Sequence, residues 1–131
     1  MSAHLRGVKP ALKADPEALT KAPPAPSYFS HYAKAEWKRI MPQLIKRRVL
    51  TKGDLGGVET YCLMVGTVRE IEDNRSLNSL DIDPKLFSVQ NRAAQTARQL
   101  AAEYGLSPTS RSRIGSGAAD DDDDDNPLSV R

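Results

Sequence analysis

A chain of 131 residues with 39% hydrophobic and 5% aromatic residues holds one small domain plus tails; that apolar content is lean for a self-sufficient core, so burial against other subunits is expected. No run approaches the roughly 18–20 consecutive apolar residues of a membrane span, and MSAHLRGVKPALKADPEAL has no apolar stretch behind its basic residues, which argues against a secretory signal and for the cytoplasm. The net charge of +2 conceals a basic body, with fourteen Lys/Arg against nine Asp/Glu over 31–114, and six consecutive aspartates at 120–125, an asymmetry that suggests two kinds of partner.

Residues 1–29 read as a disordered Pro/Ala-rich tail that reaches APPAPS at 22–27, a stretch that cannot sustain a helix. A helical domain is expected over 30–114. Ser30 is placed to cap a first helix, in which Ala33, Trp37, Ile40, Met41, Leu44 and Ile45 recur at spacings of three and four as one apolar stripe. Pro42 should kink this helix or begin a new turn. Lys46, Arg47 and Arg48 close it, cations that suit a helix C-terminus. Trp37 lies on the apolar stripe, so a core role is favoured over base stacking.

Thr51-Lys52-Gly53-Asp54 is a capping-box-like start for a second helix running to about Ile71. Leu55, Val58, Cys62 and Val65 form one stripe on it; Tyr61, Met64, Val68 and Ile71 form another. Their union is wider than a two-layer helix needs. Either the helix is buried on two sides within one domain, or one side faces a neighbouring subunit. The second is favoured because few helices are on hand to cover both, which makes Tyr61, Met64, Val65, Val68 and Ile71 the candidate oligomer interface. Cys62, the one cysteine, reads as a buried inert thiol.

Residues 74–83 read as a loop. Asp83-Pro84 then starts a third helix, carrying Leu86, Val89, Ala93, Ala97, Leu100 and Tyr104 on one stripe and ending at Gly105. Ser107-Pro108 restarts a short helical turn with Arg111 and Arg113. Residues 115–131 read as a disordered acidic tail: GSGAA is a flexible joint, and Asp120, Asp121, Asp122, Asp123, Asp124 and Asp125 repel one another too strongly to fold together.

No catalytic constellation is visible. There is no phosphate loop, so ATP hydrolysis by this chain is not expected. His4 and His31 are the sole histidines and do not suggest a metal site, and no cofactor is implied. Glu70, Glu72 and Asp73 read as a solvated helix end, and Thr67 and Ser76 have no activating base. The stronger chemical signal is basic. Lys34, Lys38, Lys46, Arg47, Arg48 and Lys52 crowd the first helix and the turn after it, a cluster suited to phosphates, with Arg111 and Arg113 as further DNA-binding candidates. For any single lysine, a solvated face with local pairing to Glu36 is the simpler account. Arg92 and Arg98 join Arg111 and Arg113 as a second candidate set, whose alternative is intersubunit pairing with Glu70, Glu72 or Asp73.

AEWKRIMPQLIKRRVLTKGDLGGVETYC at 35–62 resembles the core signature of one branch of phage small terminase subunits. There an Ala-x-x-Trp helix leads through a proline to a Leu-Thr-x-x-Asp start, and the next helix carries Tyr-Cys; here these positions are Trp37, Pro42, Leu50, Thr51, Asp54, Tyr61 and Cys62. LAAEYGLSPTSRSRIG at 100–115 is similar to the family's closing Gly-Leu-Ser/Thr-Pro-x-x-Arg stretch, and PPAPSYF to its proline-rich approach. The loop at 74–83 is short and poor in lysine, and the aspartate run is not part of the shared pattern. The resemblance implies an all-α subunit, a helical hairpin with flanking helices, that assembles into a homo-oligomeric ring. It implies recognition of double-stranded phage or prophage DNA in the host bacterial cytoplasm, and recruitment of a large terminase subunit holding the ATPase and nuclease. The aspartates then have three readings: a solubilising tail, a dock for the large subunit or portal, or a competitor of DNA for the chain's own basic patch. A helix-turn-helix regulator is the alternative, poorly matched by a long second helix and a loop of about ten residues; a small nuclease is a third.

Overall fold

A computed structural model of the chain describes residues 16–78, 83–109 and 111–112, with backbone alone for 76–78. The described residues are helical, with no strand among them: α1 (His31–Arg47), a 3-10 turn (Lys52–Asp54), α2 (Leu55–Asn78) and α3 (Pro84–Glu103). The expected all-α class is what the structure shows.

Local chemistry sets the boundaries. Ser30 has extended backbone and its Oγ accepts the Ala33 N–H at 3.2 Å, satisfying one of the donors that a helix start leaves open. Helix α1 continues unbroken through Pro42, which is exposed. Thr51 and Asp54 form the capping box ahead of α2, with the Thr51 N–H and hydroxyl each donating to Asp54 Oδ2 at 2.9 Å. Asp83 caps α3 through the Lys85 N–H, and Pro84 occupies the first turn. Gly105, at φ 72°, turns the chain after α3 in the left-handed region, and the Leu106 N–H closes back on the Ala101 carbonyl at 2.8 Å.

Helix α2 is the centre. It packs against α1 on one side and α3 on the other. Both neighbours run antiparallel to it. Ala33 meets Gly66 and Glu36 meets Tyr61, while Gln90 reaches the Val68 carbonyl and Tyr104 lies over Gly57. The chain itself therefore supplies both covers for the doubly apolar helix, so that pattern does not require a neighbouring subunit. The core joins Phe29, Trp37, Ile40, Met41, Leu44, Leu50, Val58, Tyr61, Cys62 and Ala97.

Two expectations are corrected. The first concerns residues 16–29, which form a strap on the body instead of a free tail. Ala18 and Phe29 are buried, the Leu19 N–H donates to the Leu50 carbonyl at 2.8 Å, and the Trp37 indole N–H donates to the Pro23 carbonyl at 3.0 Å. Prolines forbid a helix here, yet their carbonyls remain acceptors, and a buried indole needs one. The second concerns residues 74–78, which continue α2 and so shorten the expected loop, with Arg75 pairing one turn back onto Glu72. Residues 1–15, 79–82, Arg113 and 115–131 lie outside the described residues.

Candidate nucleic-acid interface

The apolar stripe of α1 turns Ala33, Trp37, Ile40, Met41 and Leu44 inward, which fixes what faces out. Lys34, Lys38 and Lys46 are exposed, together with His31, Ala35, Arg39 and Pro42. At 1.5 Å per residue the lysines span about 18 Å along the helix, roughly five base-pair steps of a duplex.

The one acid of α1, Glu36, is fully buried on the opposite side. Its carboxylate accepts the Arg39 guanidinium, with Nε at 2.8 Å, and the Tyr61 hydroxyl at 2.7 Å; Arg69 Nη2 lies 3.2 Å away. Burial alone would push its pKa up. The hydrogen bonds from Arg39 and Tyr61, with the charges of Arg39 and Arg69, outweigh this and hold it below the ordinary carboxylate value. Glu36 thus carries its charge inward, and the local pairing with the lysines does not form. The outer face of α1 contains no acid.

The rest of the basic cluster divides. Arg47 is half-buried: Nη1 donates to the Gly105 carbonyl at 2.7 Å and Nη2 to Gln43 at 3.4 Å, so it ties the end of α1 to the end of α3. Arg48 is exposed but sits at φ 57°, in the left-handed region, as the C-cap of α1, with its N–H on the Ile45 carbonyl. Lys52 is exposed in the 3-10 turn. Arg111 is exposed and folds back onto the Leu106 carbonyl at 3.2 Å. Arg92 and Arg98 are exposed on α3, a separate helix from the lysine face, while Glu72 is engaged by Arg75 and Gln90. Sequence reasoning missed Arg39 and Arg69 as the partners of a buried acid. The available signal was that Glu36 falls between Ala33 and Ile40 at helical spacing, on the inward stripe.

Of the candidate interface residues, Tyr61 points into the chain's own core, and Met64 and Val65 are half-buried against it. Val68 and Ile71 are half-buried outside that cluster. Three large side chains that the sequence reading did not single out for an interface stand in solvent at the start of α3: Leu86 at 49%, Phe87 at 55% and Val89 at 51% exposure.

Cys62 is fully buried, and burial, with the Glu36 charge adding to it, pushes its thiol up to about 12, which makes it unreactive. Among the described residues no group of His, Cys, Asp and Glu is gathered for a metal ion, and no helix is long and apolar enough to cross a membrane.

A family model described as phage terminase, small subunit, matches residues 33–121. No curated protein and no solved structure matches the chain.

Proposed function

Because the chain belongs to the small-subunit family of phage terminases, and so to phage DNA packaging, we propose that it holds double-stranded phage DNA by phosphate contacts along the outer face of α1. It works as a homo-oligomer in the host bacterial cytoplasm and presents DNA to a separate large terminase subunit. The observation that carries the DNA contact is the distribution of charge on α1. Lys34, Lys38 and Lys46 face outward with no acid among them, because Glu36 is turned into the core.

Lysine ammoniums are point charges that neutralise phosphate without reading base edges, so this face supplies grip rather than sequence choice. No bond-making step is assigned to this chain; ATP hydrolysis and DNA cutting fall to the large subunit. The helix-turn-helix alternative is not supported by α2 and α3, which are 24 and 20 residues long and antiparallel rather than short and crossed.

The test is Lys34→Ala/Lys38→Ala/Lys46→Ala, with Arg47 and Arg48 left in place because both serve the fold. Affinity for a labelled duplex should fall on any sequence, and the slope of log affinity against log salt should flatten by up to ~3, roughly one per lost phosphate contact. Unchanged affinity and slope would move the contact to Arg92 and Arg98 on α3.

A further inference from the structure

As it leaves α3 the chain passes the basic end of α1. Arg47 holds the Gly105 carbonyl and Leu106 packs on the core, so the chain is anchored there at these two residues; beyond them the Arg111 N–H donates to the Ser107 carbonyl at 2.8 Å, and Ser112 is the last described residue. Eight residues farther on in sequence begin six consecutive aspartates. At about 3.3–3.6 Å per residue, the interval from Ser112 to Asp120 spans up to roughly 26–29 Å. The lysine face of α1 is about 18 Å long, shorter than that span.

We propose that Asp120–Asp125 dock on the outward face of the chain's own α1, on Lys34, Lys38 and Lys46, and there stand in for a run of phosphates. Three observations converge on this occupant. The face is cationic and free of acids, the aspartate run is the longest block of like charge in the chain, and the chain is held at the basic end of α1 by Arg47 on the Gly105 carbonyl, fifteen residues before the run begins. A tethered anion acts at high effective concentration. Resting on the DNA reading above, the consequence is that the tail competes with non-specific duplex, and DNA must displace it to bind.

The experiment uses the full chain and a variant with Asp120–Asp125 all changed to Asn, which keeps length and removes charge. Without DNA, a zero-length carbodiimide is expected to join residues 120–125 to Lys34, Lys38 or Lys46 in preference to Lys85, at the far end of α3. No such cross-links, or equal joining to Lys85, would overturn the docking. With a labelled duplex, the Asn variant is expected to bind about 3- to 10-fold more tightly at 50 mM salt, the gap closing near 0.3 M, where screening is stronger. Cross-links with equal affinity of the two proteins for DNA would overturn the competition and leave the docking. Failure of both proteins to bind DNA would overturn the DNA reading and the competition together, with the docking judged on the cross-links alone.

Discussion

The Tyr61 hydroxyl donates to the Glu36 carboxylate across 2.7 Å, between α2 and α1, with both side chains buried. Charge-assisted hydrogen bonds of this kind contribute about 1.5–3 kcal/mol. Tyr61→Phe should lower unfolding free energy in urea by that amount, with little change in the slope against denaturant. A double-mutant cycle with Glu36→Gln should return a coupling energy of about 0.5–3 kcal/mol. A coupling near zero would mean the two groups do not act together.

Alkaline conditions should weaken the fold through Cys62 and Tyr61. Burial, then the nearby Glu36 charge, raises the thiol from 9.0 to about 12. Burial, then the hydrogen bond to Glu36, raises the phenol from 10.0 to about 12. Between those limits the unfolded chain releases protons that the folded chain keeps, so stability is complete below pH 9 and falls as pH rises. The melting temperature should drop from pH 8 to pH 10.5, and Cys62→Ser should remove the part that sets in near pH 9. A gap between Cys62→Ser and the parent that stays constant across this range would exclude the thiol. Glu36 acts in the opposite sense: its lowered value stabilises the fold above the ordinary 4.5, and that contribution is lost as pH falls through the lower folded value.

Gly66 lets α1 and α2 approach closely. A Cβ there would lie 3.0 Å from the Ala33 nitrogen and 3.1 Å from its Cβ, and backbone cannot step aside as a side-chain tip can. Alanine is the better helix former by about 1 kcal/mol, yet the forced contact should win, and Gly66→Ala should cost about 1–3 kcal/mol. Gly56, in the first turn of the same helix with nothing within 4 Å of its built Cβ, is the control. Gly56→Ala should be neutral or stabilising by up to ~1 kcal/mol. Thermal melts of the two variants that shift in the same upward direction would contradict the close approach.

What was legible in the sequence was mostly short-range chemistry. The Ser30 cap, the Thr51–Asp54 box, the Asp83-Pro84 start and the Gly105 stop each depend on a side chain and backbone only a few residues apart, and each stands where the pattern put it. The strap was not legible, because a proline-rich composition excludes a helix without saying whether its carbonyls will meet a distant indole such as that of Trp37. Glu36 was misread for a related reason. Helical spacing assigns it inward, but a buried carboxylate needs partners, and of these only Arg39 is on its own helix while Tyr61 and Arg69 arrive from α2. The basic cluster was visible as a cluster, whereas the division between outward Lys34, Lys38 and Lys46 and the tethered Arg47 depends on where α3 ends.

Assembly should depend on the start of α3. Helix α2 finds its two covers inside the chain, so the proposed homo-oligomer needs another apolar surface, and Leu86, Phe87 and Val89 supply exposed side chains in the first turns of α3. Large apolar side chains left in solvent at one end of a helix are candidates for a contact site. Because these three are already in solvent, Leu86→Ser/Phe87→Ser/Val89→Ser should change monomer stability by no more than about 0.5 kcal/mol per site. Val65→Asp, by contrast, would strike a residue packed on the core and confuse assembly with folding. In native mass spectrometry the parent chain should appear as a closed species of more than four copies, the size implied by the ring assembly that the motifs suggest, and the triple serine variant should fall apart at micromolar concentration while its helical circular dichroism and melting temperature stay close to the parent's. A variant that assembles like the parent would place the contact on Val68 and Ile71 of α2, which Val68→Asp then tests by the same measurement. A parent that is itself a monodisperse monomer would sink the assembly altogether.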